Sequence, residues 1–319
     1  MRPTGKLHLG HLVGALENWV SLQNEFENYH LIADYHALTT NLSTESLYNH
    51  TIDMITDWLS AGIDPVKSPV FRQSQVKEHA ELHLLFSMLI TTARLERNPT
   101  LKEQARDLKI ETMSYGHLGY PVLQAADILL YKGEVVPVGE DQLPHIEITR
   151  EVARKFNLQY APNNSVFPEP EGKITKFARL PGLNGQRMSK SVGNTILLSD
   201  SPEEIQKKLK TAVTDPQKIR KGDPGRPDIC LVFTYHQKFN PSAVGEIRQG
   251  CESGALGCVD CKKQCGIAIA HALAPLREKR AHYETHLNEV KDILADGERR
   301  AKRTAEQTMS EVHQAMKIG

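Results

Sequence analysis

Pro3-Thr4-Gly5-Lys6-Leu7-His8-Leu9-Gly10-His11 places two histidines, separated by a leucine and a glycine, just ahead of a helical pattern. Leu12, Leu16, Trp19 and Val20 recur at helical spacing between Gly10 and Gln23, so the histidines stand at a helix start. Such a start offers unpaired N–H groups and the positive end of the helix dipole, a setting that favours an anion. Gly10 has no side chain, so a flat ring or a phosphate can come close to the backbone there. His8 and His11 can both donate hydrogen bonds to phosphate oxygens. The plain alternative is a pair of surface histidines.

Downstream, short apolar runs alternate with helical segments. Tyr29–Asp34, Pro69–Gln73 and Val135–Val138 have the length and composition of buried parallel strands, with Pro137 disturbing the third. Leu47–Leu59 and Glu78–Leu89 carry helical periodicity. This alternation predicts an α/β domain built on a parallel sheet. Residues 162–190 are punctuated by proline, glycine and asparagine and read as loop-rich. Ser201-Pro202-Glu203-Glu204 is a helix start, with a capping serine, proline at the first helical position and acids in the first turn. Beyond it the chain reads as mostly helical, ending in a charged amphipathic helix over Glu298–Met316. The change of texture places a domain boundary near residue 195. A chain of 319 residues suits about two domains.

Lys plus Arg equals Asp plus Glu at 39 each, so any nucleic-acid contact has to come from local patches rather than a basic coat. No run approaches the roughly 18 apolar residues of a membrane span. Met1–Gly5 has no apolar signal core, and the expected address is the cytoplasm.

A second chemical signal is Arg187-Met188-Ser189-Lys190-Ser191, which follows Gly182-Leu183-Asn184-Gly185. Cations and hydroxyls on a glycine-rich loop are suited to closing over a polyphosphate. His-Leu-Gly-His and Arg-Met-Ser-Lys-Ser together resemble the paired signatures of class I aminoacyl-tRNA synthetases. Arg187 stands where the second signature ordinarily opens with lysine, which keeps the charge and changes the geometry. The strings Ala33–Thr39, Tyr120–Tyr131 and Val138-Gly139-Glu140-Asp141-Gln142 narrow the resemblance to the tryptophanyl-tRNA synthetase family, over almost the whole length.

The resemblance implies a Rossmann-like catalytic domain with a helical insertion over residues 1–195. A smaller all-helical, anticodon-binding domain would follow over residues 196–319. It also implies ATP, Mg²⁺, L-tryptophan and tRNA(Trp) as reactants and partners, and a homodimer in which His83–Leu89 joins the interface. His8, His11, Arg187 and Lys190 would be the catalytic groups. Arg2, Pro3, Thr4, Gly10, His11, Gly139, Glu140, Asp141, Leu180, Arg187, Met188, Ser189, Lys190 and Ser191 would bind ATP. Tyr120, Gln142 and His36 would bind tryptophan together with Asp127. Read from chemistry alone, Asp127 is a carboxylate in an apolar helix, costly unless partnered. It could belong to a buried ion pair or could accept the indole N–H, the one polar handle on that ring. The alternatives are a tyrosyl-tRNA synthetase, which would need polar partners for a phenol oxygen, and a paralogue that binds nucleotide or RNA without charging tRNA. In the family a short apolar strand precedes the Arg-Pro-Thr-Gly segment. Here Met1 falls directly on that segment, so a product a few residues longer is expected.

All five cysteines lie in the last third, in the pattern Cys230-x20-Cys251-x6-Cys258-x2-Cys261 with Cys265 beyond. In a cytosolic protein such a group points to metal or redox chemistry rather than disulfides. Zinc accepts four thiolates and so does an iron–sulfur cluster, and the spacing leaves the two even. The pattern resembles C-x22-C-x6-C-x2-C in a subset of bacterial tryptophanyl-tRNA synthetases that hold a [4Fe-4S] cluster. That resemblance implies Cys230, Cys251, Cys258 and Cys261 as ligands. Basic runs at Lys207–Lys210, Lys218–Lys221, Arg277–Arg280 and Arg299–Arg303 are the expected tRNA phosphate contacts.

Overall fold

The computed structural model describes residues 1–174 and 180–318. The first segment enters α1 (Leu9–His11), passes through a π-wound turn (Leu12–Leu16) and continues as α2 (Glu17–Leu22). Then come β1 (His30–Ile32), α3 (Asp34–Leu38), α4 (Leu47–Ala61) and β2 (Val70–Arg72). Four helices follow: α5 (Glu78–Ser87), α6 (Thr92–Glu96), α7 (Pro99–Asp107) and α8 (Tyr115–Leu129). The second strand pair is β3 (Val135–Val138) and β4 (Glu171–Ile174), with α9 (Leu143–Tyr160) between them in the chain. The rest is helical: α10 (Pro202–Lys210), α11 (Leu231–Phe239), α12 (Val244–Glu252), α13 (Cys258–Thr285) and α14 (Leu287–Met316).

β1 pairs parallel with β2 and β3 pairs parallel with β4. Each pair is joined through helices, because parallel neighbours need a long crossover. The α/β class with parallel strands and a helical C-terminal part is as expected. The expected strands enclose β1, β2 and β3, but β4 falls inside the stretch read as loop. Glu171-Gly172-Lys173-Ile174 is polar and largely exposed, so it lacks the apolar run by which buried strands are recognised. On its other edge β1 is met by Met1, whose amino group donates to the Leu31 carbonyl at 2.7 Å. Ala33 N–H returns a bond to the Met1 carbonyl at 2.9 Å.

Ser201 caps α10 as expected. Its hydroxyl accepts from Glu204 N–H, and the Glu204 carboxylate accepts from Ser201 N–H at 2.7 Å. The texture changes near residue 195, yet the apolar core runs across that point. One cluster joins Leu7, Leu9 and Trp58 to Tyr235, Ile269, Leu273 and Val290. A second joins Phe71, Phe86 and Phe156 to Ala301, Ala305 and Val312 of α14. α14 lies directly on β2, where Gly297 meets the Val70 peptide so closely that any Cβ would overlap the Val70 carbonyl. Arg72 Nε donates to Glu298 Oε1 at 2.6 Å beside that contact.

Candidate active site

The functional side chains gather where parallel strands end, the usual place for a site in an α/β sheet. His36 follows β1, Gln73 follows β2, and Gly139 to Gln142 follow β3. The first segment arrives extended and runs antiparallel beside residues 196–198. Leu9 N–H donates to the Ile196 carbonyl at 3.0 Å and Leu198 N–H to the Leu7 carbonyl at 2.9 Å. This brings the two sequence signatures into contact, although almost 180 residues separate them.

His8 is the N-cap of α1, and its Nδ1 accepts Gly10 N–H at 3.1 Å. His11 Nδ1 accepts His8 N–H at 3.2 Å. With both Nδ1 atoms accepting, each neutral ring carries its proton on Nε2, which is free to donate outward. The two rings lie 3.8 Å apart between centroids. Burial, reinforced by Lys190 and Arg187, pulls the His8 imidazole down to about 4. Burial, then His8, Lys190 and Arg187, pulls His11 down to about 3. Both rings are therefore neutral donors at physiological pH. Met188 Sδ approaches Gly10 N at 3.2 Å, and a Cβ on Gly10 would crowd both His8 and Met188. Lys190 Nζ donates to the Thr4 carbonyl, to the Lys6 carbonyl at 3.0 Å and to Thr4 Oγ1 at 3.3 Å. Arg187 and Ser191 are exposed, Ser189 and Ser191 share a hydroxyl bond at 2.8 Å, and Pro3 is buried beneath.

Next to these segments lies a cavity of about 940 Å³ between β1 and β3, lined by Arg2, His36, Tyr120, Asp127, Asp141, Gln142 and Arg187 among others. Asp127 is not an open acceptor. Its Oδ1 takes Gln73 Nε2 at 2.6 Å and His79 Nδ1 at 2.7 Å, and its Oδ2 pairs with His36 Nε2 at 2.8 Å. Burial pushes this carboxyl up, but the charge and hydrogen bonds of His36 and His79 outweigh it and hold the group well below the usual carboxylate range. A carboxylate has about four lone-pair sites, so one acceptor position remains beyond these three bonds. His79 Nε2 accepts from Tyr131 at 2.8 Å, completing a buried chain of donors behind the pocket.

Tyr120 is oriented in the same way. Asn98 bonds His145 Nδ1 at 3.1 Å, and His145 Nε2 donates to the Tyr120 oxygen at 2.9 Å. Burial, aided by His36, holds His145 down to about 4, so the ring is neutral. Burial pushes the Tyr120 phenol up to about 12, against a pull from Arg2, so it stays protonated. Gln142 Nε2 donates to Asp141 Oδ2 at 3.2 Å, and Thr100 donates to the Asp141 carbonyl at 2.8 Å.

Not every expected residue joins the cavity wall. The Leu180 side chain is buried in the core, and Ala178 and Arg179, which lead into it, lie outside the described residues. Glu140 and Gly139 are exposed beside the mouth. Gln73, His79, His145, Asn98 and Asn194 were not anticipated from sequence. Asn194, 4% exposed, accepts Ser189 N–H and donates to Asn184 Oδ1 and the Arg187 carbonyl, holding the second loop in shape. A polar residue bound for the core carries no periodic signal, which is why these escaped.

The cysteines lie elsewhere, none of them lining the cavity. Cys261 is pushed up to about 12 by burial and then by Cys230, Cys251 and Cys258, which places the four thiols as neighbours. Cys265 is fully buried in the core, 4.0 Å from the Val232 carbonyl, and burial, then Cys261 and Cys230, push its thiol up. Among the described residues no group of three or more His, Cys, Asp or Glu gathers closely enough for a single metal ion. Of the basic runs, Lys218 and Arg280 are buried and bonded inside the protein, while Lys207, Lys210, Arg220, Lys221, Lys279, Arg299, Lys302 and Arg303 are exposed. Leu84 on α5 and Met88 at its C-cap are 56% and 69% exposed, whereas Phe86 is internal. No helix among the described residues is long and apolar enough to cross a membrane.

The family model for class I tRNA synthetases (W and Y) matches residues 1–274. The tryptophan–tRNA ligase of Thermotoga maritima is 49% identical, with 100% of this chain and 98% of that protein covered. That of Aquifex aeolicus is 42% identical, with 100% and 98% covered. The tryptophanyl-tRNA synthetase of Campylobacter jejuni, solved with ADP and tryptophan, superposes with a TM-score of 0.90 at 32% identity, covering 100% of this chain and 98% of that one.

Proposed function

The chain belongs to the class I tRNA synthetases of the tryptophan and tyrosine type, and we propose that its joined signatures form the ATP site and the adjoining cavity the tryptophan pocket. It is a tryptophan–tRNA ligase, activating L-tryptophan with ATP and transferring it to tRNA(Trp). The observation that carries the site assignment is the meeting of His8, Gly10, Met188 and Lys190 beside a pocket containing Asp127.

In the first step the tryptophan carboxylate attacks the α-phosphorus of ATP and pyrophosphate leaves. A carboxylate is already ionised, so no side chain needs to remove a proton. Catalysis is positioning and charge stabilisation. The Nε2–H groups of neutral His8 and His11 donate to phosphate oxygens, and Lys190 with Arg187 balances charge on the departing pyrophosphate. Arg2, Pro3, Thr4, Gly10, Ser189 and Ser191 form the surrounding wall, and Gly139, Glu140, Asp141 and the Leu180 backbone take the ribose and adenine. Tyr120 and Gln142 hold the α-ammonium, and Asp127, set by His36, accepts the indole N–H. Mg²⁺ would arrive with the nucleotide and would supply charge neutralisation to its phosphates. In the second step a terminal ribose hydroxyl of the tRNA attacks the adenylate carbonyl and AMP leaves. The exposed lysines and arginines near α10, the 220–221 turn and α14 meet tRNA phosphates. Residues 196–319 form the anticodon-binding part, Leu84 and Met88 belong to a homodimer interface, and the enzyme works in the cytoplasm. Pyrophosphate exchange measured with each amino acid in turn is expected to depend on tryptophan alone. Exchange driven by tyrosine, or by no amino acid, overturns this reading.

For Cys230, Cys251, Cys258 and Cys261 we propose a [4Fe-4S] cluster rather than a zinc ion. The support is their spacing, close to that of the bacterial subset that holds such a cluster, since four thiolates alone suit zinc equally. Such a group would brace the start of α13 against α11 and α12. Anaerobically purified protein is expected to absorb visible light, and Cys258→Ser to bleach it and lower the melting temperature. Aminoacylation should fall more than tryptophan activation in that variant. Colourless protein with stoichiometric zinc, or with no metal, overturns the cluster.

A further inference from the structure

Asp57 lies within α4, wholly buried, and is met by Arg280 of α13, whose side chain is 3% exposed. Arg280 Nη1 donates to Asp57 Oδ1, and Nη2 donates to Asp53 Oδ1 at 3.0 Å. The other Asp57 oxygen, Oδ2, accepts Leu7 N–H at 2.6 Å. Leu7 directly precedes His8, and its carbonyl is held from the opposite side by Leu198 N–H. Leu7 is thus held at its N–H by a buried ion pair and at its carbonyl by the strand-like segment after the second signature. A buried ion pair is a poor device for stability alone, because desolvating two charges costs several kcal/mol per ion and an apolar pair would pack as well. It is a good device for fixing one direction, since a carboxylate shared between an arginine and a backbone N–H tolerates little rotation.

We propose that Asp57 and Arg280 are positioning residues for the activation step, setting the Leu7 peptide and through it the His8 and His11 donors from α13. This rests on the tryptophan-activating reading of the site. The helix that supplies Arg280 also carries Cys258 and Cys261 at its start, roughly 28–33 Å away along its axis. The same helix therefore touches the cysteine group and the support of the catalytic segment.

The electrostatics agree. The groups facing Asp57 are Arg280 from α13, itself 3.0 Å from Glu284, Asp53 on its own helix, and Lys190 from the second signature. Burial pushes the Asp57 carboxyl up to about 6, against the pull of Arg280 and the Leu7 N–H. Asp57 and Asp53 in turn favour the charged form of Lys190, against its burial. Below about pH 6 Asp57 takes a proton and the ion pair is lost, so activation should decline on that acid limb. Without Arg280 the carboxyl rises further and the limb moves to higher pH.

The test is tryptophan-dependent pyrophosphate exchange per active site, counted by single-turnover adenylate formation, on the full chain. Arg280→Met and Asp57→Asn are expected to lower kcat about 10- to 100-fold with tryptophan KM within about twofold, as misplacement of catalytic donors does. The double variant should lose no more than the worse single, because the two act as one unit. Arg280→Lys should recover part of the loss, and Arg280→Met should move the acid limb of the kcat profile upward. A purely structural role would change melting temperature and active fraction while leaving kcat per site and the pH limb in place, and that result overturns the proposal. If Arg280→Met fails to fold, Arg280→Lys and Asp57→Asn decide by the same readouts. Active wild type with unaffected variants overturns the proposal alone. Wild type without tryptophan-dependent exchange overturns the functional reading and the proposal with it.

Discussion

Lys190→Ala is expected to lower kcat for tryptophan activation by about 10²–10³-fold, with kcat/KM falling in step. The ammonium is poised by the Thr4 and Lys6 carbonyls of the opposite signature, so its place is set before substrate arrives. Negative charge on pyrophosphate grows as the α-phosphorus bond breaks, and a preset cation stabilises the transition state more than bound ATP. That difference is what appears in kcat. Burial lowers the lysine's proton affinity, and the Asp57 and Asp53 carboxylates oppose that shift. Lys190→Arg should rescue little, because a planar fork cannot occupy the same carbonyl cradle. A change confined to the KM for ATP would instead assign Lys190 to uniform binding.

Asp127→Asn should reduce discrimination between tryptophan and phenylalanine by about 10²-fold or more, with the KM for ATP little changed. A site that hydrogen-bonds a substrate N–H rejects a ligand lacking it by about 10⁴, because the buried acceptor is left unpaired. Here the acceptor is tightly prepared. Gln73, His79 and His36 fix both oxygens, and the Tyr131 hydroxyl backs His79. An amide in this position turns one oxygen into a donor facing other donors, so the pocket loses both its acceptor and its alignment. Steady-state kinetics with the two amino acids, beside a melting curve to confirm folding, measure the effect. An unchanged ratio would remove Asp127 from the specificity role.

The contrast between Asp127 and its partners shows how far the site was legible in the sequence. A carboxylate inside Ala125–Leu130 stands out because burial without a partner is costly, so its importance is written in its surroundings. Its partners arrive from β2 and α5, about fifty positions away, and nothing local marks Gln73 or His79 as aimed at it. The signatures were visible for the opposite reason, since each is a dense local string whose chemistry needs its neighbours. The strands were legible where both faces are apolar and were missed at β4, where pairing with β3 holds polar residues in line. The role of Arg280 was hidden in a charge run, because three basic neighbours on one helix look alike until packing turns one of them inward.

The seat of α14 on β2 has a consequence in time. Arg72 meets Glu298 across 226 positions, and Tyr29 meets Thr304 across 275. During synthesis the first strand pair leaves the ribosome early, yet the helix that covers it is made more than 200 residues later. Phe71 and Val70 must wait with one side bare, and contacts of such long sequence separation form slowly. The nascent chain therefore carries the residues of an active site without the frame that aims them, and its most aggregation-prone interval ends only when α14 docks.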